Sequence, residues 1–577
     1  MRVRTNLLLW ATAVVFMLGV GTPPQVADAA QDSAGRTQRV PADETFAPIA
    51  IEEFEPCCQS IRSERSDGQT GRTRRRVEVP RGELVDPAAY RRLKEEAEFD
   101  PLAPRGSEVG LAEEALMLPA APRMRRKFEG LNQKTAGSQG LLYFPPDTIV
   151  AAGPNEVLEA TNSALRLSSL ANKDVEIQSL NDHFGVKSSG AEPGTSARLS
   201  GNLFDPKAYF DRLSNRFFVV ALLQNDKPNE SFIYLSVSRS SSVVSLENGW
   251  CNYRIRGKRS NSWADYPGLG MNGSWLAISA NNFKFSNKGG TFHNVYLYVV
   301  DKVSLVDNAS SCPKLKLFVF KAPQVPGDFW DYKAFTVQPA QHYTESNLPG
   351  DPLFFVSTGI SPDYGLWSIT AGSSSAAVKR PTLSRIVLQG DSYSGPPDAQ
   401  QKGGGVLLDT GSTRMMQVAF RDGDLWATHA TGCNIGDGPS ESCISVLQIT
   451  VTSAISGTVD FQEIYGRKNQ FFWWPGIAVN KLGDIVVVFQ RSSKKMFLST
   501  AYNGKKAQNN KMDAVKVLAK GRCNSQDVGS GMARTGDYVG AQTDPLDNLS
   551  FWIAGEFSKK VRGLSGCRWS TQIATVK

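Results

Sequence analysis

Histidine is scarce in this chain: four residues in 577, at His183, His293, His342 and His429. A Ser-His-Asp hydrolase or a histidine-rich zinc site therefore has little to be built from, and neither a G-x-S-x-G elbow nor an HExxH pair is present. No C-x-x-C pair occurs either. Long hydrophobic runs are lacking apart from one, from Leu7 to about Val20, which is shorter than the roughly 20 apolar residues that span a bilayer. Charge of one sign is not gathered: the net charge of +8 is the balance of 64 basic and 56 acidic residues. A dedicated nucleic-acid groove, which needs basic residues clustered on one folded face, is excluded on that ground. No EF-hand-like loop is found. Calcium is the one cofactor the Asp- and carbonyl-rich turns leave open, and no other metal is expected.

What is present begins with an export signature. Arg2 and Arg4 precede the apolar run, and small residues follow at Ala27-Asp28-Ala29, the order of a secretory signal peptide over residues 1–29. The mature chain is expected to be secreted, periplasmic or extracellular, with no membrane span. Eight cysteines in an oxidising compartment read as disulfides before they read as metal ligands. The spacings suggest Cys251 with Cys312, Cys433 with Cys443 and Cys523 with Cys567. Cys57 and Cys58 are adjacent and are not expected to pair with each other.

Residues 30–138 are rich in Arg, Glu, Pro, Gly and Ser, with basic runs at 72–76 and 123–127. Such a composition buries too little apolar surface to offset the entropy of ordering it, so the segment reads as a largely disordered linker or a pro-segment. One short helix is expected at 86–99, where Asp86 can cap, Pro87 suits the first turn, and Tyr90, Leu93 and Ala97 fall near one face.

From residue 139 onward, short β-branched and aromatic runs alternate with Gly, Asn, Asp and Pro, an all-β texture. A repeat organises it. Its clearest copy runs from Trp263-Ala264-Asp265-Tyr266-Pro267-Gly268 through a turn at Asn272-Gly273 to Trp275-Leu276-Ala277-Ile278. The last copy runs from Gly536-Asp537-Tyr538 to Phe551-Trp552-Ile553-Ala554-Gly555-Glu556. Weaker copies are anchored at Asp147, Asp205, Asp331, Arg414 and Trp474, with spacings of 58 to 83 residues. Units of this length, each with room for four strands, predict a single β-propeller over 139–577, with seven four-stranded blades or six. Closing the ring requires a partner for an edge strand, and residues 140–144 are expected to pair with the C-terminal blade.

Several of these motifs resemble a loosely defined family of uncharacterised secreted bacterial β-propeller proteins. They are Asp205-Pro206 with Tyr209-Phe210-Asp211 and Arg216-Phe217-Phe218; Asp265-Tyr266-Pro267; Arg421-Asp422-Gly423-Asp424-Leu425-Trp426 leading to His429; and Gly536-Asp537-Tyr538 ending at Trp569-Ser570-Thr571. The resemblance implies fold and export and no particular activity. Sialidase-type propellers are a more distant likeness, since their S-x-D-x-G-x-T-W box is absent.

In a propeller, the loops entering the innermost strands surround the mouth of the central channel. The pairs Asp265/Tyr266, Asp331/Tyr332 and Asp537/Tyr538 sit at such entries and are expected to converge there, although an Asp at a strand entry can also simply cap a turn. With Arg414 and Glu556 they are the catalytic candidates: paired carboxylates for glycoside hydrolysis, or Tyr with Arg for a polysaccharide lyase. Trp473, Trp474, Arg534 and His429 are the ligand-binding candidates. Because four consecutive aromatics at 471–474 cannot all point one way from a strand, about half are expected to be exposed or in a loop. The first functional reading is a monomeric recognition module binding an extracellular glycan or protein; the second is a carbohydrate-active enzyme; the third is a structural surface protein.

Overall fold

The β-rich runs after residue 140 pair with their chain neighbours, as short connections dictate. The computed structural model describes residues 44–57, 59–60, 75–82, 87–111, 122–137, 141–186, 201–226, 229–285, 291–307, 311–323, 334–371, 380–525 and 532–577. Within them the strands form the seven four-stranded antiparallel blades of a β-propeller. Six blades are contiguous in sequence: 149–179, 204–256, 262–321, 335–389, 415–466 and 471–519. The seventh joins Gly540–Thr543, Phe551–Lys559 and Arg568–Val576 to a strand from far upstream, Met124–Asn132. The signal-like residues 1–29 lie outside the described residues.

The first strand of each blade is innermost: those of blades 3, 4 and 5 pair side by side in parallel, at Met271 with Gln341 and at Ala340 with Val418. Strands packed on both faces read as continuous apolar runs rather than as alternation. Phe471–Val479 is accordingly buried throughout. This corrects the expectation that about half of the aromatics at 471–474 are exposed or in a loop, because in an inner strand both faces meet neighbouring blades. Backbones come close at the centre. A Cβ on Gly540 would lie 2.5 Å from the Val150 nitrogen.

A shared irregularity sits at the start of these strands. Register shifts fall between Phe204 and Lys207, Asp265 and Gly268, Phe335 and Gln338, and Trp473 and Gly476. The residue at each shift has a left-handed backbone: Asp205 (φ 51°), Tyr266 (52°), Thr336 (54°) and Trp474 (48°). Three of the four precede a proline, which denies the ladder a donor at the bulge. In this register Asp205 corresponds to Tyr266 and not to Asp265. The one-residue offset matters because successive strand side chains point to opposite faces.

Ring closure differs from the expectation. Leu141–Phe144 pairs in parallel with Arg75–Glu78, and the strand that completes the last blade is Met124–Asn132, antiparallel to Arg568–Val576. Its Arg- and Lys-rich sequence resembles a linker because the outermost strand of a blade turns one face to solvent; only Met124, Phe128 and Leu131 face inward. The described stretches of 30–138 do not hang free. Glu44–Phe46 adds to blade 4 and Ala50–Phe54 to blade 3. Cys57 bridges blade 2 at Asn252, and Ser60 accepts from Gln178 of blade 1. Farther along, Ser107–Glu108 adds to blade 5 and Leu111 bridges Val515 beside blade 6. The segment is a belt that touches the rim of blades 4, 3, 2 and 1 in turn, crosses one face, and returns along blades 5, 6 and 7. It covers strand edges that would otherwise invite pairing with other chains. The expected helix is present as α1 (Pro87–Glu98).

Disulfides join Cys251 to Cys312, Cys433 to Cys443 and Cys523 to Cys567, the three pairs suggested by spacing. Cys57 is also disulfide-bonded, and Cys58 lies outside the described residues. No helix among the described residues is long and apolar enough to cross a membrane.

Candidate functional site

The bulged entries of the inner strands, with the chain leading into blades 1 and 7, bring Asp147, Asp205, Asp265, Asp537 and Glu556 to one end of the propeller axis, all buried. Several carboxylates stitch one blade to the next. Asp147 accepts the Asp537 N–H at 2.6 Å and the Asn162 side-chain amide at 2.6 Å. Asp205 accepts the Tyr266 N–H at 3.2 Å and the Tyr538 hydroxyl at 3.1 Å. Glu556 accepts the Gly536 N–H at 2.7 Å. The Tyr266 and Tyr538 rings lie 4.8 Å apart, and the Tyr266 hydroxyl donates to the Asp537 carbonyl at 3.3 Å.

So many carboxyls in little water raise one another's proton affinity. Burial pushes Glu556 up to about 8, with Asp147 and Asp537 adding to the effect. Asp147, Asp205 and Asp265 are also raised, chiefly by burial and further by neighbouring carboxylates. Two cations temper the cluster. Arg534 lies 3.3 Å from Asp537, and Lys207 places its ammonium 3.0 Å from the centre of the Tyr538 ring. Burial pushes Lys207 down to about 7, against the pull of Asp205.

Not every polar atom at this mouth is satisfied. Asp265 Oδ1, Asp537 Oδ1 and the Trp474 indole N–H are buried with no hydrogen-bond partner among the described residues. Nearby, the Arg414 guanidinium lies 4.5 Å from the Tyr266 ring centre, 5.1 Å from Phe335 and 5.9 Å from Trp474. Its Nε donates to Ser412 Oγ at 2.8 Å. Among the described residues no three His, Cys, Asp or Glu side chains are grouped to hold a metal ion.

The mouth is roofed by the belt where it crosses the face. The Gly82 N–H donates to Asp265 Oδ2 at 2.6 Å, and Arg534 donates to the Val79 carbonyl at 3.0 Å. Helix α1 then grips the loop that precedes blade 5. Tyr90 donates to Asp409 at 2.7 Å, and Arg81 pairs with the same carboxylate. Lys94, buried in the helix–loop contact, donates to Thr410 Oγ1 and the Gly411 carbonyl at 2.6 Å each and to the Pro396 carbonyl at 2.7 Å. Gly411 packs on the Trp474 ring so closely that a Cβ there would lie 2.0 Å from it.

Of the residues singled out from the sequence, Asp265, Tyr266, Arg414, Trp474, Arg534, Asp537, Tyr538 and Glu556 are brought to this mouth. Asp331 and Tyr332 lie outside the described residues. Trp473 points between blades, donating to Thr535 Oγ1 at 3.1 Å. His429 is also remote from the axis: it lies between blades 4 and 5, 3.1 Å from the Tyr364 hydroxyl, and burial pushes its imidazole down to about 4. Sequence reasoning used Asp147 as a spacing anchor and Asp205 as an anchor and a resemblance motif, gave neither a role in the site, and passed over Lys207. The signal that finds them is the X-Pro bulge at Asp205-Pro206, Tyr266-Pro267 and Trp474-Pro475. A groove of about 530 Å³ between blades 6 and 7, lined in part by Lys127, Phe128, Leu518 and Arg522, is on the rim and not at this site.

No family model and no curated protein matches the chain. Solved structures do. A protein of unknown function from Dyadobacter fermentans is similar at 12% identity, over 80% of this chain and 100% of its own, with a TM-score of 0.33. A sialidase from Trypanosoma rangeli is similar at 10% identity over 67% of this chain and 57% of its own, TM-score 0.32. An alpha-L-arabinanase from Cellvibrio cellulosa is similar at 13% identity over 55% of this chain and 95% of its own, TM-score 0.22. At these scores none of them bears on what the axial mouth does.

Proposed function

We propose that the protein is an exported recognition module that binds a polyhydroxylated extracellular ligand, a glycan, at the axial mouth. One observation carries this reading: Asp265 Oδ1, Asp537 Oδ1 and the Trp474 N–H are buried at the same end of the axis with no hydrogen-bond partner among the described residues. An unmade hydrogen bond on a buried group costs about 1–3 kcal/mol, so a ligand that completes these three is favoured over solvent. Sugar hydroxyls both donate and accept, which suits two carboxylate acceptors and one indole donor. Convergent polar groups of this kind are the usual mark of a ligand site. The test is retention of the full mature chain on an array of acidic and neutral polysaccharides. We expect retention of at least one, weakened about tenfold in Asp265→Asn, which corresponds to about 1.4 kcal/mol. Retention of none, or equal retention by both proteins, would refute the glycan site and turn the search to a protein ligand.

A second reading, a carbohydrate-active enzyme, is favoured by the raised proton affinity of Glu556 and Asp265. A carboxyl still protonated near neutral pH can act as a general acid. Release of reducing ends or of unsaturated uronate absorbance in the same array, abolished in Asp265→Asn, would establish it in place of pure binding.

A further inference from the structure

The basic run at 123–127 takes no part in the mouth. It enters the outer strand of blade 7, Met124–Asn132, and faces blade 6 across the groove of about 530 Å³. Successive side chains of a strand alternate in direction. Phe128 packs on Trp552, while Lys127 and Glu129 turn the other way, Lys127 to the Leu518 carbonyl at 2.9 Å and Glu129 to Lys559 at 2.6 Å. The facing wall is the outer strand of blade 6, Lys516–Ala519, and the chain that leaves it, where Lys520 and Arg522 are exposed on either side of Gly521. The two walls are locked together. The Gly521 N–H donates to Ser499 Oγ in blade 6 at 2.9 Å, the Arg522 N–H donates to the Ser558 carbonyl in blade 7 at 2.7 Å, and Cys523 is bonded to Cys567. A groove held in this way needs little ordering when a ligand enters, which favours binding.

The charge of the groove is one-sided. Its lining carries three exposed cations, Lys127, Lys520 and Arg522, and one carboxylate, Glu129, which Lys559 already pairs. Like charges between low-dielectric walls focus a potential that attracts anions. Lys127 has three N–H donors and uses one on Leu518, and the Arg522 guanidinium offers a planar fork that matches a carboxylate or sulfate. The volume exceeds what a single inorganic anion needs and falls within the roughly 300–1,000 Å³ of sites that hold organic ligands. An acidic peptide would enter most readily as an added strand, but the Leu518 and Phe128 carbonyls on the two walls already accept from Lys127 and Gln572. We propose that this groove is a second ligand site, for an acidic polysaccharide whose carboxylate or sulfate groups are met by Lys127, Lys520 and Arg522. It lies on the rim and is independent of the reading of the axial mouth.

The first measurement is a footprint on the wild-type mature chain, which needs no variant. Lysines are acetylated with an N-hydroxysuccinimide ester, with and without dextran sulfate, and read by mass spectrometry. With dextran sulfate at ten times its dissociation constant, Lys127 and Lys520 should react about tenfold more slowly. Lys494 and Lys495, exposed on the turn between the second and third strands of blade 6, should react at an unchanged rate. The second measurement is retention on immobilised dextran sulfate at low salt, with polygalacturonate as a competitor and neutral dextran as a control. Lys520→Gln/Arg522→Gln should weaken retention about tenfold, and Lys494→Gln/Lys495→Gln, with the same change of net charge, should weaken it far less. Asp265→Asn should behave as the wild type. Protection spread over all lysines, or equal weakening in the two double variants, would show a response to net charge alone and overturn the groove. Loss in Asp265→Asn without loss in Lys520→Gln/Arg522→Gln would move the polyanion to the mouth, and a preference for polyglutamate over both acidic glycans would overturn the polysaccharide.

Discussion

The rim and the mouth are both polar, yet they are held together by opposite means. At the rim, belt residues add to blades through backbone ladders, and their charged side chains face water. At the mouth, the same chain crosses the face with no ladder, and the charged side chains that turn inward, Arg81 and Lys94, are individually partnered. Lys127 and Lys94 make the contrast concrete. Lys127 belongs to a strand whose place is fixed by pairing with Arg568–Val576, whereas Lys94 reaches Pro396, Asp398, Thr410 and Gly411 from a helix that pairs with nothing. A ladder tolerates any side chain that faces solvent, while a buried ammonium tolerates almost no change of partner. Rim sequence is therefore free to look like linker, and mouth sequence is not.

The largest test of this contrast removes a ladder. A chain beginning at Pro122 keeps the outer strand of blade 7, and a chain beginning at Gly130 loses most of it, including Phe128, which packs on Trp552 at 6.4 Å. The ladder has six register pairs between Met124 and Asn132. At roughly 1 kcal/mol for each hydrogen bond, the shorter chain should be less stable by on the order of 5 kcal/mol, before counting its exposed edge. Thermal unfolding followed by circular dichroism should show the Pro122 chain melting cooperatively and the Gly130 chain melting well below it or aggregating. Similar melting of the two would mean that Cys523–Cys567 and the three local strands suffice to hold the blade.

The mouth is broken by pH. Glu556 has its proton affinity raised by burial to about 8, from an ordinary carboxyl value near 4.5. Between those values the folded protein holds a proton that the unfolded chain has released. Its favourable contribution is complete below about pH 4.5 and disappears as pH rises through about 8. Glu556→Gln, which stays neutral, should therefore gain on the wild type as pH increases from 6 to 8, by about 1.4 kcal/mol per unit at most. Comparing the two proteins at each pH cancels the opposing contributions of Lys207 and the buried histidines. A stability difference independent of pH would mean that Glu556 is ionised in the folded state.

How far the sequence revealed this architecture follows the same division. Inner strands were legible because burial on both faces forces apolar residues, and the turn at Asn272 is legible because its side chain accepts the Ser274 and Trp275 N–H groups. The three disulfide pairs followed from spacing within and between repeats. The mouth was legible in part: Asp265, Tyr266, Asp537 and Tyr538 stood out, but Asp205 was placed in the wrong register. An Asp–Asp alignment hides the bulge that equates it with Tyr266. The belt was almost illegible, since an outer strand such as 124–132 needs only every third or fourth residue to be apolar. Its partner lies more than four hundred residues away, at Ser570 to Val576, where no local pattern can point.

The smallest expected effect bears on the rim again. Lys314 and Glu55 form an ion pair at 2.5 Å where the belt meets blade 3, and both side chains are about two-thirds exposed. Removing the charge in Lys314→Ala leaves untouched the ladder in which Leu315 faces Phe54 and Lys316 faces Glu53. Exposed pairs are screened by salt and offset by the entropy of fixing two long side chains, so the melting temperature should not change measurably at physiological ionic strength. A clear loss, larger at low salt, would mean that charge and not backbone pairing seats this part of the belt. The distinction between a laddered rim and a side-chain-latched mouth would then fail at its simplest point.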